Sequence, residues 1–171
     1  MLNAILIKDQ IILEKNDPSL VLYQKGFGEL KDNKLFLSLY EANFLLFKKK
    51  ISIILSKDKK MNSIEFYKKC SKLDKNFFVK SVVYNDLRSR GYTIKTALKY
   101  GAEFRVYDKG ITPGKDHAKW IIFPVSEKEK FSWYEFSAKN RVAHSTRKKL
   151  LIAVVDEEQT PTYYEINWLK P

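Results

Sequence analysis

The chain contains few of the side chains that most often bind metals or act as nucleophiles. It has two histidines, His117 and His144, and a single cysteine, Cys70. They form neither an HExxH motif nor a Cys-x-x-Cys pair, and the Pro-Asp dipeptide of metal-dependent restriction-type nucleases is missing. We therefore expect no metal and no cofactor. Histidine, tyrosine and lysine side chains can act in acid–base catalysis, but each type also has common structural roles, so residue type alone assigns no catalytic residue.

Composition indicates an ordinary globular protein. With 171 residues, of which 44% are hydrophobic, the chain can form one domain or two small ones. One cysteine cannot form an intrachain disulfide, which suits a reducing compartment, and we expect Cys70 to be buried. Lys8 and Asp9 interrupt the apolar N-terminal run, so it resembles neither a signal peptide nor a membrane span. We expect a cytoplasmic protein without a membrane partner.

The net charge of +12 indicates a polyanionic partner, since an excess of lysine and arginine attracts phosphates. The charge does not locate a site: residues 1–75 carry 15 basic and 9 acidic residues and residues 76–171 carry 17 and 11, or +6 each. A lysine-rich, solubilising surface would give the same composition. Charge alone leaves both interpretations open.

The patterns predict an α+β fold in two domains. In residues 1–75, Ala4 to Leu13 reads as a hairpin, Asp17-Pro18 as a helix start, and Ser38 with Glu41 as a capping box, with a further helix from Ser63. In residues 76–171, an apolar stripe predicts a helix that ends at Gly91, and Ser132 with Glu135 caps another. The predicted strands of this mixed-sheet domain are 92–95, 104–107, 120–125, 150–155 and 162–168.

Three segments of the second domain carry a specific resemblance. They are YNDLRSRGYTIKTALKYGAEFRVYDKG, DHAKW and RVAHSTRKKLLIAVVDEEQTPTYYEINWLKP, in that order. Together they resemble the C-terminal domain of the tRNA-intron endonucleases, and GFGEL followed by LSLYEANFLLF resembles the N-terminal domain of that family. The resemblance implies a restriction-endonuclease-like layout for residues 76–171.

The resemblance also implies catalytic residues. The family's tyrosine matches Tyr107 of FRVYDKG, its histidine matches His117 of DHAKW, and its lysine matches Lys148 of HSTRKKLL. By this resemblance Tyr107 is the general base, His117 the general acid, and Lys148 the cation that stabilises the phosphorane. A free phenol with a pKa near 10 is a poor base at neutral pH, so Tyr107 acts after a nearby cation lowers its pKa, or it orients the 2′-hydroxyl instead.

Substrate and assembly follow from the same resemblance. The family cuts precursor tRNA at bulge-helix-bulge structures, and Arg141 matches an arginine that stacks on a bulge base. Trp168 is a second stacking candidate or a core or interface residue, while His144 is expected to pack or cap. The acidic run Asp156, Glu157 and Glu158 matches a docking loop that joins two dimers, so a homotetramer is expected and a heterotetramer with a structural subunit stays open.

Two other functions fit parts of the sequence. A noncatalytic RNA-binding or assembly subunit would share the charge and fold, but the intact tyrosine, histidine and lysine favour an enzyme. A metal-dependent DNA nuclease would share the layout of the second domain. Activity in the presence of a chelator distinguishes that nuclease from an enzyme that uses the 2′-hydroxyl.

Overall fold

The computed structural model describes residues 1–55 and 59–169, with Tyr100 described by its backbone alone. The chain divides into two compact units, Met1–Ser81 and a second unit that begins at Val82. Both units combine a sheet with helices, which confirms the predicted α+β class. The expected domain boundary at 75/76 falls in the turn between the third and fourth helices and stays a prediction.

The first unit contains a six-stranded sheet and three helices. Its strands are β1 (Leu2–Ile7), β2 (Gln10–Glu14), β3 (Glu29–Lys31), β4 (Lys34–Leu37), β5 (Ile51–Ile54) and β6 (Lys60–Met61), in the spatial order β3-β4-β2-β1-β5-β6. Its helices are α1 (Asp17–Gln24), α2 (Leu39–Phe47) and α3 (Ser63–Leu73). The predicted hairpin is confirmed, because β1 and β2 pair antiparallel. Alternate strand residues such as Ile11, Leu13 and Ile53 are fully buried and form the core.

Side chains at the helix starts explain where these helices begin. Ser38 and Glu41 form the predicted capping box of α2. Two other starts lie one residue earlier than predicted: Asn16 rather than Asp17 caps α1, and Asn62 rather than Ser63 caps α3. In both cases the asparagine side chain accepts the backbone N–H three residues on, which satisfies a donor that the first turn would leave unpaired.

The second unit contains a five-stranded mixed sheet. Helix α4 (Phe77–Ser89) leads into it, and a short 3₁₀ helix (Leu98–Tyr100) follows its first strand. The remaining elements are β7 (Thr93–Thr96), β8 (Phe104–Tyr107), β9 (Trp120–Ser126), α5 (Trp133–Ser145), β10 (Lys149–Val155) and β11 (Pro161–Ile166). The spatial order is β11-β10-β9-β8-β7; β9 and β10 are parallel and the other neighbours antiparallel. Ser132 and Glu135 form the predicted capping box of α5.

The two faces of this sheet have different partners. Ile121 and Leu150 lie on one face and pack with Ala143 of α5 in a buried cluster. The residues that alternate with Ile121 in β9 and with Leu150 in β10 point to the other face, because side chains alternate along a strand. There Phe104 of β8 contacts Tyr84 of α4, with ring centroids 6.0 Å apart. Helices therefore pack on both faces of the sheet, and the ends of its strands are the parts that can contribute to a functional site.

No helix among residues 1–55 and 59–169 is long and apolar enough to cross a membrane.

Candidate active site

Three strands of the second unit meet at one edge of the sheet. The backbone N–H of Lys119 donates to the carbonyl of Val106 at 2.9 Å, and the N–H of Lys149 donates to the carbonyl of Lys119 at 3.1 Å. Val106 precedes Tyr107 at the end of β8, and Lys149 follows Lys148 at the start of β10. Tyr107 and Lys148 therefore lie on the strand ends on either side of Lys119. His117 lies two residues before Lys119, so the three catalytic candidates come from one edge.

Strand alternation gives the direction of two of these side chains. Arg105 is opposite Ile121 in the β8–β9 pair, and Tyr107 is two residues further along β8. Lys148 is two residues before Leu150, which shares the buried face with Ile121. Both side chains thus start on the face that α5 covers.

Tyr107 is held firmly by the sheet. Tyr107 is 4% exposed, and it is paired with Thr93 of β7 in the sheet. The guanidinium carbon of Arg105 lies 5.9 Å from the centroid of the Tyr107 ring, because residues i and i+2 of a strand share a face. The site therefore places a positive charge beside the phenol.

His117 lies in the exposed connection between β8 and β9. Its backbone N–H donates to the carboxylate of Asp116 at 2.6 Å. Gly110 has φ of +77° and Gly114 has φ of +92°, left-handed conformations that side chains rarely adopt, so the two turns of this loop favour glycine. The imidazole is thus presented to solvent by a loop, as a group that protonates a substrate oxygen needs to be.

Lys148 is positioned by the turn that ends α5. Its backbone N–H donates to the carbonyl of Ala143 at 2.9 Å, and Arg147 has φ of +54° to make the turn. The Lys148 ammonium donates to the carbonyl of Thr146 at 2.9 Å. The amine is partly buried at the end of the helix, where the carbonyl dipoles favour a cation.

Arg141 and Trp168, the two stacking candidates, line one pocket. The pocket has a volume of about 580 Å³, and its other lining residues are Ser137, Asn140, His144 and Ser145. The rings of His144 and Trp168 meet edge to face with centroids 4.5 Å apart. His144 therefore packs against Trp168, and it is a lining residue that sequence reasoning did not identify. The sequence did contain a signal for this role, because His144 is three residues after Arg141 and therefore lies on the same side of helix α5.

The acidic run forms the turn between β10 and β11. The Asp156 carboxylate accepts the backbone N–H of Thr160 at 2.8 Å, and the Glu127 carboxylate accepts that of Glu157 at 3.0 Å. Lys128 forms an ion pair with Glu157. The loop is thus braced, and the Glu158 side chain is exposed at its tip.

Several residues beside the catalytic candidates make contacts that the sequence did not reveal. Lys119 forms an ion pair with Asp108 at 3.3 Å, and Glu165 bonds to both Trp120 and Lys149. Hydrogen bonds from Lys149 and then from Trp120 lower the pKa of the Glu165 carboxyl. Only the pairing of the strands reveals this set, because its members are far apart in sequence.

Within the described ranges, no group of three or more histidine, cysteine, aspartate or glutamate side chains is arranged to hold a metal ion.

Comparison with known proteins identifies the family. Residues 77–163 match the model of the tRNA intron endonuclease catalytic C-terminal domain, and residues 2–67 match the model of the N-terminal domain of the same family. The first match contains Tyr107, His117 and Lys148.

Relatives of similar length support these matches. The chain is 46% identical to the tRNA-splicing endonuclease of Nanoarchaeum equitans (strain Kin4-M) over 155 residues, which is 87% of this chain and 98% of the relative. It is 44% identical to that of Pyrococcus abyssi (strain GE5 / Orsay), covering 85% and 83% of the two chains. It is 38% identical to that of Methanothermobacter thermautotrophicus (strain Delta H), covering 85% and 84%.

The match to the catalytic-domain model and the names of these relatives identify the class of protein as an endonuclease. The chain belongs to the tRNA intron endonuclease family. The resemblance noted in the sequence is therefore confirmed.

Proposed function

We propose that this chain cleaves precursor tRNA at bulge-helix-bulge intron–exon junctions by attack of the 2′-hydroxyl on the adjacent phosphate. The products are a 2′,3′-cyclic phosphate and a 5′-hydroxyl. The observation that carries the proposal is the meeting of β8, β9 and β10 at one sheet edge, with Tyr107, His117 and Lys148 next to the bonded strand ends. These residues come from separate parts of the sequence and supply the three types of group that the reaction needs.

Each residue has one role in the reaction. Tyr107 accepts the proton of the 2′-hydroxyl as its oxygen bonds to phosphorus, and the Arg105 guanidinium near the ring supports the developing phenolate. His117 protonates the leaving 5′-oxygen, so it enters the cycle as the imidazolium. Lys148 stabilises the extra negative charge on the phosphorane oxygens. This sequence of steps requires no metal or cofactor.

The pocket of Arg141 and Trp168 supports a base-binding role. An unstacked bulge base needs a planar partner, and both a guanidinium and an indole supply one. Arg141 and Trp168 line the same pocket, so one base can contact both. We infer that this pocket holds a bulge base while the sheet edge holds the phosphate.

We further propose a homotetramer, in which two of the catalytic sites serve the two bulges of one substrate. Within the described chain β11 is an edge strand, so its outer backbone groups can pair with another copy. A neighbouring groove of about 580 Å³ contains Phe131, Trp133, Phe136 and Tyr164. Burying the Trp133 side chain, which is 83% exposed, would favour association.

The loop of Asp156, Glu157 and Glu158 is proposed to join two dimers by contact with basic residues of another copy. Its bracing by Glu127 and Lys128 reduces the entropy lost on docking. A heterotetramer with a structural subunit would use the same surfaces. Cytoplasmic location follows from the substrate and is likewise a proposal.

The test is cleavage of an end-labelled bulge-helix-bulge RNA in excess EDTA. Wild-type protein should make two cuts that leave cyclic-phosphate ends, and a substrate with deoxynucleotides at the cut sites should stay intact because it lacks the nucleophile. His117→Ala should leave almost all of the RNA uncut under the same conditions. Intact RNA after incubation with folded wild-type protein would instead favour a noncatalytic subunit, and cleavage only without EDTA would favour a metal-dependent nuclease.

A further inference from the structure

A line of contacting side chains crosses the sheet edge that carries the catalytic candidates. It begins at Asp108, whose carboxylate pairs with the Lys119 ammonium at 3.3 Å. The Lys119 ammonium also lies 4.4 Å from the centroid of the Trp120 ring. The line thus joins the residue that follows Tyr107 to the start of β9.

Glu165 of β11 completes the line with both of its carboxylate oxygens. Oε2 accepts the indole N–H of Trp120 at 2.8 Å, and Oε1 accepts from the Lys149 ammonium at 2.6 Å. Trp120 and Lys149 are directly opposite each other in the parallel pair of β9 and β10. One side chain therefore connects the first residues of two strands that are not adjacent to it in sequence.

The two partners of Glu165 are sequence neighbours of catalytic candidates. Lys149 directly follows Lys148, and Trp120 is three residues after His117. By strand alternation, Trp120 and Lys149 point to the face opposite the one on which the Lys148 side chain starts. Glu165 therefore bonds to side chains on the sheet face opposite the Lys148 side chain. It does not lie on the face where the reacting phosphate is proposed to bind.

We propose that Glu165 is a positioning residue for RNA cleavage, which holds Trp120 and Lys149 so that His117 and Lys148 stay at the separation the reaction needs. The inference rests on the proposed function. Displacement of a catalytic group by about 1 Å can cost on the order of a hundredfold in rate, so a modest loosening of the strand starts affects the chemical step.

The effect on rate is expected to exceed the effect on stability. The Lys149 and Glu165 side chains are 48% and 32% exposed, and exposed ion pairs contribute little to folding. The Trp120 ring also makes an edge contact with Tyr92, at 5.9 Å between centroids, which does not involve Glu165. The substitution removes no backbone hydrogen bond directly, so the strands should stay paired although their first residues open more often.

The experiment compares single-turnover cleavage by wild type, Glu165→Ala, Glu165→Gln, Lys149→Met and the Glu165→Ala/Lys149→Met double variant. Glu165→Ala should lower the maximal rate about tenfold with KM within twofold of wild type. Glu165→Gln should cleave about threefold faster than Glu165→Ala, because its amide oxygen still accepts the indole N–H of Trp120. The double variant should be no slower than Glu165→Ala, since Glu165→Ala already removes the contact that Lys149→Met would break.

The matched control is Glu14→Gln, which breaks an exposed pair with Lys34 in the first unit and should leave the rate unchanged. A Glu165→Ala rate within twofold of wild type, or a loss confined to KM, would overturn the proposal. So would rate losses that simply follow the melting temperatures of the variants, without recovery by Gln.

The same samples separate this inference from the function itself. If wild-type protein leaves the RNA intact, the proposed function fails by that result. Amide hydrogen exchange then still tests whether the contact between Glu165 and Lys149 holds the start of β10. In Glu165→Ala the Lys149 amide should exchange at least about fivefold faster than in wild type. The exchange rate of the Ala153 amide, in the middle of β10, should stay unchanged. Equal exchange at Lys149 would overturn the positioning role.

Discussion

The imidazole of His144 packs edge to face against the indole of Trp168, with 4.5 Å between the ring centroids. The two histidines of the chain therefore have different surroundings. His144 belongs to α5 and lines the pocket of Arg141, whereas His117 lies in the exposed loop before β9. The same substitution at the two positions should therefore give different kinetic results.

Alanine at His117 should lower the maximal cleavage rate by about 10² to 10⁴ and leave RNA affinity nearly unchanged, because it removes the proposed general acid. Alanine at His144 should mainly weaken RNA binding through the loss of support for Trp168. Single-turnover rates and filter-binding affinities measure the two effects. A large loss of rate at saturating protein in the His144 variant would contradict this division.

Replacement of Arg141 or Trp168 by alanine should raise the dissociation constant for bulge-helix-bulge RNA about 5- to 150-fold, since base stacking contributes about 1–3 kcal/mol per base. The affinity for a fully paired RNA of the same length should change little, because it offers no unstacked base. Arg90→Ala is the matched control, an arginine whose pair with Asp86 lies outside this pocket. Equal losses for both RNAs would point to a general charge effect.

Neutralising the acidic loop with Asp156→Asn, Glu157→Gln and Glu158→Gln should convert tetramers to dimers, measured by sedimentation at micromolar concentration. High salt should have the same effect on wild type, because the proposed contact is between opposite charges. The control makes the same kind of change at three exposed carboxylates, with Asp9→Asn, Glu14→Gln and Glu29→Gln. An unchanged tetramer in the loop variant would remove the docking role.

Asp74 should stabilise the first unit in a pH-dependent way. Burial alone would raise the pKa of this carboxyl, but hydrogen bonds from Tyr40, Lys80 and the Asn76 backbone together lower it. A lowered pKa in the folded state means that the contribution is complete above the unfolded-state pKa of about 3.9 and is lost as pH falls through the folded-state value.

Asp74→Asn should therefore lower the free energy of unfolding by about 1–2 kcal/mol at pH 7 and by clearly less at pH 3. Denaturant unfolding of both proteins at the two pH values measures the difference. Asp32→Asn, at an exposed position, supplies the control for a change of charge alone. A difference that is the same at pH 3 and pH 7 would show that the charge of Asp74 has no part in it.

Cys70 should be unreactive in the folded protein. It is fully buried, and burial raises the pKa of its thiol to about 12. Because the thiolate is the reacting form, alkylation by iodoacetamide at pH 8 should be at least about a thousandfold slower than for the denatured chain. Reaction at similar rates before and after unfolding would show that the thiol is accessible.

Local patterns were sufficient to predict most elements. The capping boxes at Ser38 and Ser132 each use a side chain three residues further on, so a short segment contains the whole signal. The starts of α1 and α3 were displaced by one residue, because asparagine and the residue after it can both serve as caps. The last strand ends at Ile166, which leaves Trp168 outside the sheet, free to meet His144.

The types of the catalytic candidates could likewise be assigned from short motifs, since FRVYDKG, DHAKW and HSTRKKLL carry the family resemblance. Their roles remain predictions. Lys119 and Trp120 lie within DHAKW, but the motif does not reveal that Trp120 and Lys149 both bond to Glu165, a contact that joins β9, β10 and β11.

The sequence by itself determined the α+β class, the charge, the family and the residue types available for acid–base chemistry. Only the tertiary structure decided that Tyr107, His117 and Lys148 come to one sheet edge, because this depends on the register of β8, β9 and β10. That register is set by backbone hydrogen bonds such as the one from Lys149 to Lys119, which join residues thirty positions apart. Backbone groups are alike at every position, so the pairing follows from how the whole sheet buries its apolar faces.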